Sequence, residues 1–127
     1  MMLRAVYVGM LLSVTACATA GAPGTGVRRD PNVLTADEIA MSHESTAYDA
    51  VARLRPLFLK TRGRSTINGT QNDYATVFVD GQRYGNLNAL HSIVAAQVVE
   101  IRYLSSGDAV GKYGMQYGSG VIDVRTR

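Results

Sequence analysis

Alternating apolar and polar positions mark two strands near the end of the chain. In Val98–Leu104 (VVEIRYL) and in Val121–Thr126 (VIDVRT), apolar residues alternate with charged ones. A period of two is typical of a strand with one buried and one solvated face. If the strands are neighbours, their charged side chains share a face on which opposite charges lie across from one another. The residues expected on the buried face are Val99, Ile101, Tyr103, Ile122 and Val124. Those expected on the solvent-exposed face are Glu100, Arg102, Asp123 and Arg125.

Two short helices are predicted in the first half of the chain. Thr35 followed by Glu38 is a capping-box pattern, which predicts a helix over residues 36–42. Thr46 begins a second helix, in which apolar residues recur at i, i+4 and i+7. Because the residue before a proline disfavours the helical conformation, this helix should end or kink at Arg55, before Pro56.

The middle of the chain predicts strands around one tight turn. Leu57–Leu59 is expected to be a short strand running to Arg62-Gly63, and the β-branched and aromatic segment Tyr74–Val79 a longer one. The Asp80-Gly81 dipeptide is a strong hairpin signal, with residues 82–84 as the return strand. A third short helix should lie within residues 87–94, where apolar residues recur at helical spacing.

The two remaining segments are predicted to be loops. Residues 64–73 are polar, and residues 105–120 contain five glycines, so the latter should turn, form at most one helical turn and turn back. The chain has 127 residues, of which 46% are hydrophobic and 18% charged, as expected for one folded domain. The pattern predicts the α+β class, with a small mixed or antiparallel sheet packed against short helices.

The N-terminus has the pattern of an export signal. Arg4 precedes the apolar stretch Ala5–Val14, and small residues then lead to Cys17. The segment Val14–Cys17 (VTAC) resembles a bacterial lipobox, in which the peptidase cuts before the cysteine and the cysteine is acylated. A plain secretory signal with an incidental cysteine is the alternative. We interpret residues 1–16 as a lipoprotein signal peptide.

The lipobox resemblance implies a location and a domain layout. Cys17 would carry the lipid anchor, and Ala18 lacks the acidic side chain that retains lipoproteins at the inner membrane in enteric bacteria. The implied location is therefore the outer membrane, facing the periplasm. Residues 17–33 would be the acylated cysteine and a flexible tether, because they are rich in Gly, Ala, Thr and Pro. The folded domain would occupy residues 34–127.

The ordered set of segments in the folded part resembles the plug domain of TonB-dependent outer-membrane receptors. The resemblance covers residues 46–127. Its segments are Tyr48–Leu54, Pro56-Leu57, Arg62-Gly63, Ala75–Gly81 (ATVFVDG), Leu87–Ile93 (LNALHSI), Val98–Leu104, Asp108–Gly114 (DAVGKYG) and Gly118–Arg125 (GSGVIDVR).

This resemblance implies the fold of a plug domain. The differences between this sequence and the receptors determine which role we expect. The sequence ends at Arg127 with the last plug-like strand, and no energy-coupling box is evident between Cys17 and Leu34. We therefore expect a plug-like module on a lipid anchor that acts in binding or assembly, without enzyme activity or cofactor. Its expected partner is an envelope protein or an outer-membrane receptor. The alternatives are a solute-binding lipoprotein that assists a TonB-dependent uptake system and, ranked last, a hydrolase.

The glycine-rich segment provides the candidate binding surface. Plug loops of the receptors face the ligand, which implies a binding role for Tyr113, Met115, Gln116 and Tyr117. Tight turns that only join two strands are the alternative. The segment lacks a phosphate-binding pattern because Lys112 is not followed by Ser or Thr.

Other chemistry-bearing residues have structural interpretations. His43 and His91 are isolated in the sequence, so we predict packed or surface histidines and no metal site. Export separates the chain from nucleic acid, so a basic run that begins at Arg53 is either a solvated helix end or a contact for anionic lipid or an acidic partner. This run consists of Arg53, Arg55, Lys60, Arg62 and Arg64.

Overall fold

A mixed β-sheet organises the molecule. The computed structural model describes residues 29–60 and 74–127, and in these ranges the strands are β1 (Val33–Thr35), β2 (Thr76–Val79), β3 (Gln82–Gly85), β4 (Val98–Leu104) and β5 (Val121–Thr126). Their order in the sheet is β1-β4-β5-β2-β3. The β2–β5 pair is parallel, whereas the other neighbouring pairs are antiparallel. The predicted α+β class with a small mixed sheet is confirmed.

Short helices and 3₁₀ turns connect the strands. The helices of the described ranges are α1 (Ala36–Ser42), α2 (Ala47–Leu54) and α3 (Ser106–Tyr113), and the 3₁₀ turns are Pro56–Leu59, Leu87–Ser92, Ala95–Gln97 and Met115–Tyr117. The predicted capping box is present, since the Glu38 amide donates to Thr35 Oγ1 over 3.4 Å and the Thr35 amide donates to Glu38 Oε2 over 3.1 Å. None of the helices in the described ranges has the length and apolar character needed to cross a bilayer.

The core lies on both faces of the sheet. The main cluster includes Leu34, Val51, Leu90, Ile101 and Ile122, which are buried completely. A smaller cluster lies between α3 and the second face of the sheet, where Ala109 of the helix packs against Phe78 and Val121. Because α3 covers the second face, four consecutive residues of β5, from Val121 to Val124, are buried.

The two C-terminal strands pair as predicted, but their faces differ from the simple alternation. Ile101 pairs with Val124 and Tyr103 with Ile122 in an antiparallel register. A register shift between Val98 and Glu100 leaves Val99 41% exposed, so its predicted place on the buried face is wrong. Asp123, which was expected on a wet face, is only 7% exposed.

The hairpin prediction is confirmed in its turn geometry. Asp80 and Gly81 both have positive φ, at 50° and 83°, as a two-residue type I′ turn requires. Val79 pairs with Gln82 on either side of this turn. The return strand extends one residue beyond the prediction, to Gly85.

Two element predictions are wrong and one strand was missed, each for an identifiable reason. The predicted strand Leu57–Leu59 is part of a 3₁₀ turn, because Pro56 occupies its first position and has the backbone angle of a helical turn. The expected glycine loop contains all of α3, whose first turn is capped by Ser105 accepting from the Asp108 amide over 3.4 Å. Strand β1 was not predicted, because a three-residue strand shows no period.

Candidate functional site

In the sheet that the described residues form, strand β3 is one of the two edge strands. Three consecutive residues, Gln82, Arg83 and Tyr84, are exposed, and Tyr84 as a whole residue is 52% exposed. In antiparallel pairs, hydrogen-bonded and non-hydrogen-bonded positions alternate. Since Val79 and Gln82 close the two-residue turn, the next pair, Phe78 and Arg83, is of the second kind. The amide and carbonyl of Arg83 therefore point away from β2, toward the open edge.

A bulge ends the regular pairing of β3. The register passes from Phe78 opposite Arg83 to Val77 opposite Gly85, so Tyr84 is the extra residue. The Tyr84 hydroxyl lies 3.2 Å from Ser92 Oγ, which joins the strand to the 3₁₀ turn Leu87–Ser92. The opposite sheet edge, β1, has three residues and leads directly into α1. Thus β3 is the longer of the two edges.

A cleft of about 460 Å³ lies where β2 begins and β3 ends. Its walls combine aromatic, aliphatic and amide side chains, and Arg83 is the only charged residue among those that line it within the described ranges. The principal lining residues are Tyr48, Leu59, Tyr74, Arg83, Asn86 and Leu87.

Neighbouring contacts support the shape of this cleft. Tyr48 is stacked on His91 with ring centroids 3.9 Å apart. Asn86 caps the 3₁₀ turn Leu87–Ser92, because its side-chain oxygen accepts a hydrogen bond from the Asn88 amide over 3.1 Å. The tyrosine and asparagine side chains are thus presented by short, capped elements on one side of the β3 edge.

The opposite face of the sheet contains a charged cluster around Asp123. Lys112 Nζ donates to Asp123 Oδ2 over 2.7 Å, and the Tyr113 hydroxyl donates to the same oxygen over 3.1 Å. The hydrogen bond to Asp123, followed by that with Tyr113, raises the pKa of the Lys112 ammonium group above its usual range. These contacts satisfy a buried carboxylate, so the cluster has a clear structural role.

The structure separates the four residues of the predicted binding surface. Tyr113 is stacked on Phe78 at 4.0 Å, and Tyr117 meets the same ring edge-on at 5.1 Å. Met115 is 86% exposed, and Gln116 is exposed as well. The tyrosines therefore contribute to the smaller core cluster, while the residues between them face solvent. A binding role for this segment stays a prediction.

The histidines occupy structural positions. His43 is the left-handed C-cap of α1, with φ of 56°, and His91 packs against Tyr48. The residues that the structure describes contain no group of three or more His, Cys, Asp or Glu side chains suited to a metal ion.

The basic run is partly neutralised by ion pairs. Arg53 pairs with Glu44 at 2.9 Å, and Arg55 pairs with Glu38 at 3.3 Å. Lys60 is exposed. Arg62 and Arg64 lie outside the described residues, as do Cys17, the signal segment and the polar loop 64–73.

Sequence reasoning did not identify the β3 edge and its cleft as a site. Arg83 and Tyr84 were assigned to a return strand, but nothing in that assignment says which strands lie at an edge. Tyr48 and Tyr74 are distant in sequence and approach one another only in the folded chain. The one available signal was the exposed polar character of a strand that follows a tight turn.

No protein-family model matches this chain, and no curated protein and no solved structure matches it either.

Proposed function

We propose that this protein is an outer-membrane lipoprotein, anchored through Cys17, whose plug-like domain acts as a non-enzymatic binding or assembly module in the cell envelope. The observation that carries the proposal is the open edge at β3, where Arg83 directs its backbone donor and acceptor outward and three consecutive residues are exposed. An unpaired edge is a template for an added strand.

The expected mode of docking is strand addition. An extended segment of an envelope protein, such as an outer-membrane receptor, would pair with β3 through main-chain hydrogen bonds. The adjacent cleft would receive one of its side chains, because cleft and strand share Arg83 and Gly85. Such binding needs no group that reacts with a substrate.

The plug-like assignment has its support in the C-terminal strands. The resemblance implies that these strands lie side by side with apolar residues on one face. In the sheet, β4 and β5 are antiparallel neighbours, and Ile101, Ile122 and Val124 all belong to the main core. The lipid anchor is proposed from the sequence around Cys17.

A second candidate function is solute binding on behalf of a TonB-dependent uptake system. The cleft favours it, since a cavity of this size with tyrosine and amide side chains suits a small molecule. The first function is preferred because the cleft opens beside β3, whose outer edge has no partner strand among the described residues. Mass spectrometry of the native, full-length protein distinguishes the two, since a solute-binding protein would release a bound small molecule on denaturation.

The docking proposal is tested by photo-crosslinking in the bacterial envelope. A photoreactive amino acid that replaces Tyr84, on the β3 edge, should give a discrete crosslinked product with the envelope protein that docks there. The same group at Met41 is the matched control, because Met41 is highly exposed but lies on α1, outside the proposed binding surfaces.

A proline variant separates edge pairing from simple proximity. Arg83→Pro removes the outward amide, and proline is tolerated on an edge strand where the N–H faces solvent. The Tyr84 crosslink should disappear in this variant while circular dichroism stays unchanged. Equal crosslinking from Tyr84 and Met41, or a Tyr84 product that survives Arg83→Pro, would show that β3 is not the docking edge.

A further inference from the structure

We infer that the β3 edge selects extended segments that carry a side-chain carboxylate, which Arg83 would bind at the cleft. This inference rests on the proposed docking function and adds the chemistry of the partner. Two features of the described residues support it, the charge at the cleft and the continuity between cleft and strand.

Arg83 is an exposed cation that is available to a ligand. Within residues 29–60 and 74–127, no hydrogen bond or ion pair engages its guanidinium group. Arg55, Arg102 and Lys112 instead have carboxylate partners at 3.3, 3.0 and 2.7 Å. A carboxylate brought to Arg83 would therefore not have to displace a partner from the described part of the chain.

The surroundings of Arg83 favour an anion over a cation. None of the described residues that line the cleft is acidic, and the polar ones include tyrosine hydroxyls and asparagine amides, which can donate hydrogen bonds. The aliphatic side chains of Leu59 and Leu87 form an apolar part of the cleft wall. This combination suits a side chain with a short hydrocarbon stem and a carboxylate at its end.

An added strand would carry its side chains to this place. Successive residues of a strand advance by about 3.3 Å. A segment paired with the outward backbone of Arg83 would thus need one or two further residues to pass Gly85, which also lines the cleft. Backbone pairing would supply general affinity, and the ion pair would supply selection between segments.

The test uses two peptides that differ only in charge. Both are capped at each end and have six residues that alternate threonine and valine, with one central residue replaced by glutamate in the first and by glutamine in the second. Each is titrated into the full-length protein in detergent micelles, and amide chemical shifts report the affinity and the place of binding. We expect both peptides to shift the amides of β3, and the glutamate peptide to bind about threefold more tightly, as for an exposed ion pair.

Variants assign the preference to Arg83. Arg83→Gln should abolish it and Arg83→Glu should reverse it. Arg125→Gln, which removes another exposed arginine, should leave it unchanged. Equal affinity for the two peptides, or a preference that survives Arg83→Gln, would overturn the inference and leave docking at β3 intact. If neither peptide shifts the β3 amides, strand addition at this edge fails, and the inference fails with it.

Discussion

Asp80 joins the hairpin turn to the last strand of the sheet. Its backbone adopts the left-handed conformation, with φ of 50°, and its carboxylate accepts hydrogen bonds from the Thr126 hydroxyl over 2.6 Å and the Thr126 amide over 2.9 Å. These two bonds, in that order of importance, lower the pKa of the Asp80 carboxyl group below its ordinary value. One side chain thus serves both the turn and the β2–β5 pairing.

This contact predicts a pH-dependent contribution to stability. Because the pKa is lower in the folded state, the stabilisation is present at pH values above the ordinary 3.8 and is lost as the pH falls through the folded-state pKa. Asparagine keeps the left-handed turn but not the charge, so Asp80→Asn should lower the urea midpoint near neutral pH. Its difference from the wild type should shrink in acid. A difference that stays constant down to acid pH would contradict the prediction.

Helix α3 decides what the second face of the sheet contains. Tyr113 contributes twice, by stacking on Phe78 and by donating a hydrogen bond to Asp123, while Lys112 forms an ion pair with the same carboxylate at 2.7 Å. The helix therefore attaches to the sheet through these two residues of its last turn and through the buried Ala109 in its middle. The tyrosines of the glycine-rich segment are engaged in this packing, whatever else the segment binds.

Removing the Tyr113 ring should destabilise the fold. Tyr113→Ala loses a half-buried aromatic ring and a hydrogen bond, so we expect a decrease of about 2 kcal/mol in the free energy of unfolding. Tyr113→Phe keeps the stack on Phe78 and should cost about 1 kcal/mol. Chemical denaturation measures both, and hydrogen exchange should show that α3 loses protection first.

Met115→Ala is the matched control for Tyr113→Ala. Met115 lies two residues further along the same segment and is almost fully exposed. Its replacement should change the free energy of unfolding by less than about 0.5 kcal/mol. If Tyr113→Ala had an equally small effect, the contacts of Tyr113 with Phe78 and Asp123 would not stabilise the fold. The prediction that the smaller core cluster contributes to stability would then be wrong.

At the scale of the whole molecule, the sheet order separates the N-terminal side of the domain from the proposed docking edge. The chain enters the described fold at β1, which is one edge strand, and β3 is the other. Three strands lie between them, which corresponds to about 19 Å at the usual strand spacing. The proposed lipid anchor therefore lies upstream of the edge strand that is farthest from β3 in the sheet.

The anchor is tested by replacing the only cysteine in the sequence. Cys17→Ser removes the sulfur that would carry the lipid, so the protein should move from the outer-membrane fraction to the soluble periplasmic fraction. Cell fractionation and immunoblotting measure the change. The Met115→Ala variant, which keeps Cys17, should remain with the membrane. Retention of Cys17→Ser in the membrane fraction would refute acylation as the means of attachment.

The elements that could be predicted from the sequence depend on residues close together in the chain. Thr35 and Glu38 make a capping box within four residues, and Asp80-Gly81 sets the hairpin turn by its own backbone preferences. The bounds of β4 and β5 agree with the predicted segments because their apolar alternation continues over six or seven residues. Local sterics and short-range hydrogen bonds suffice for such features.

Only the tertiary structure decided the faces, the edges and the candidate site. Asp123 is buried because α3 covers its side of β5, and Val99 is exposed because the register shifts beside it. The open edge at β3 and the cleft beside it depend on the strand order and on the approach of Tyr48 and Tyr74 to Arg83. These features arise from packing between distant segments, and the pattern within any one segment carries no information about which partner will cover it.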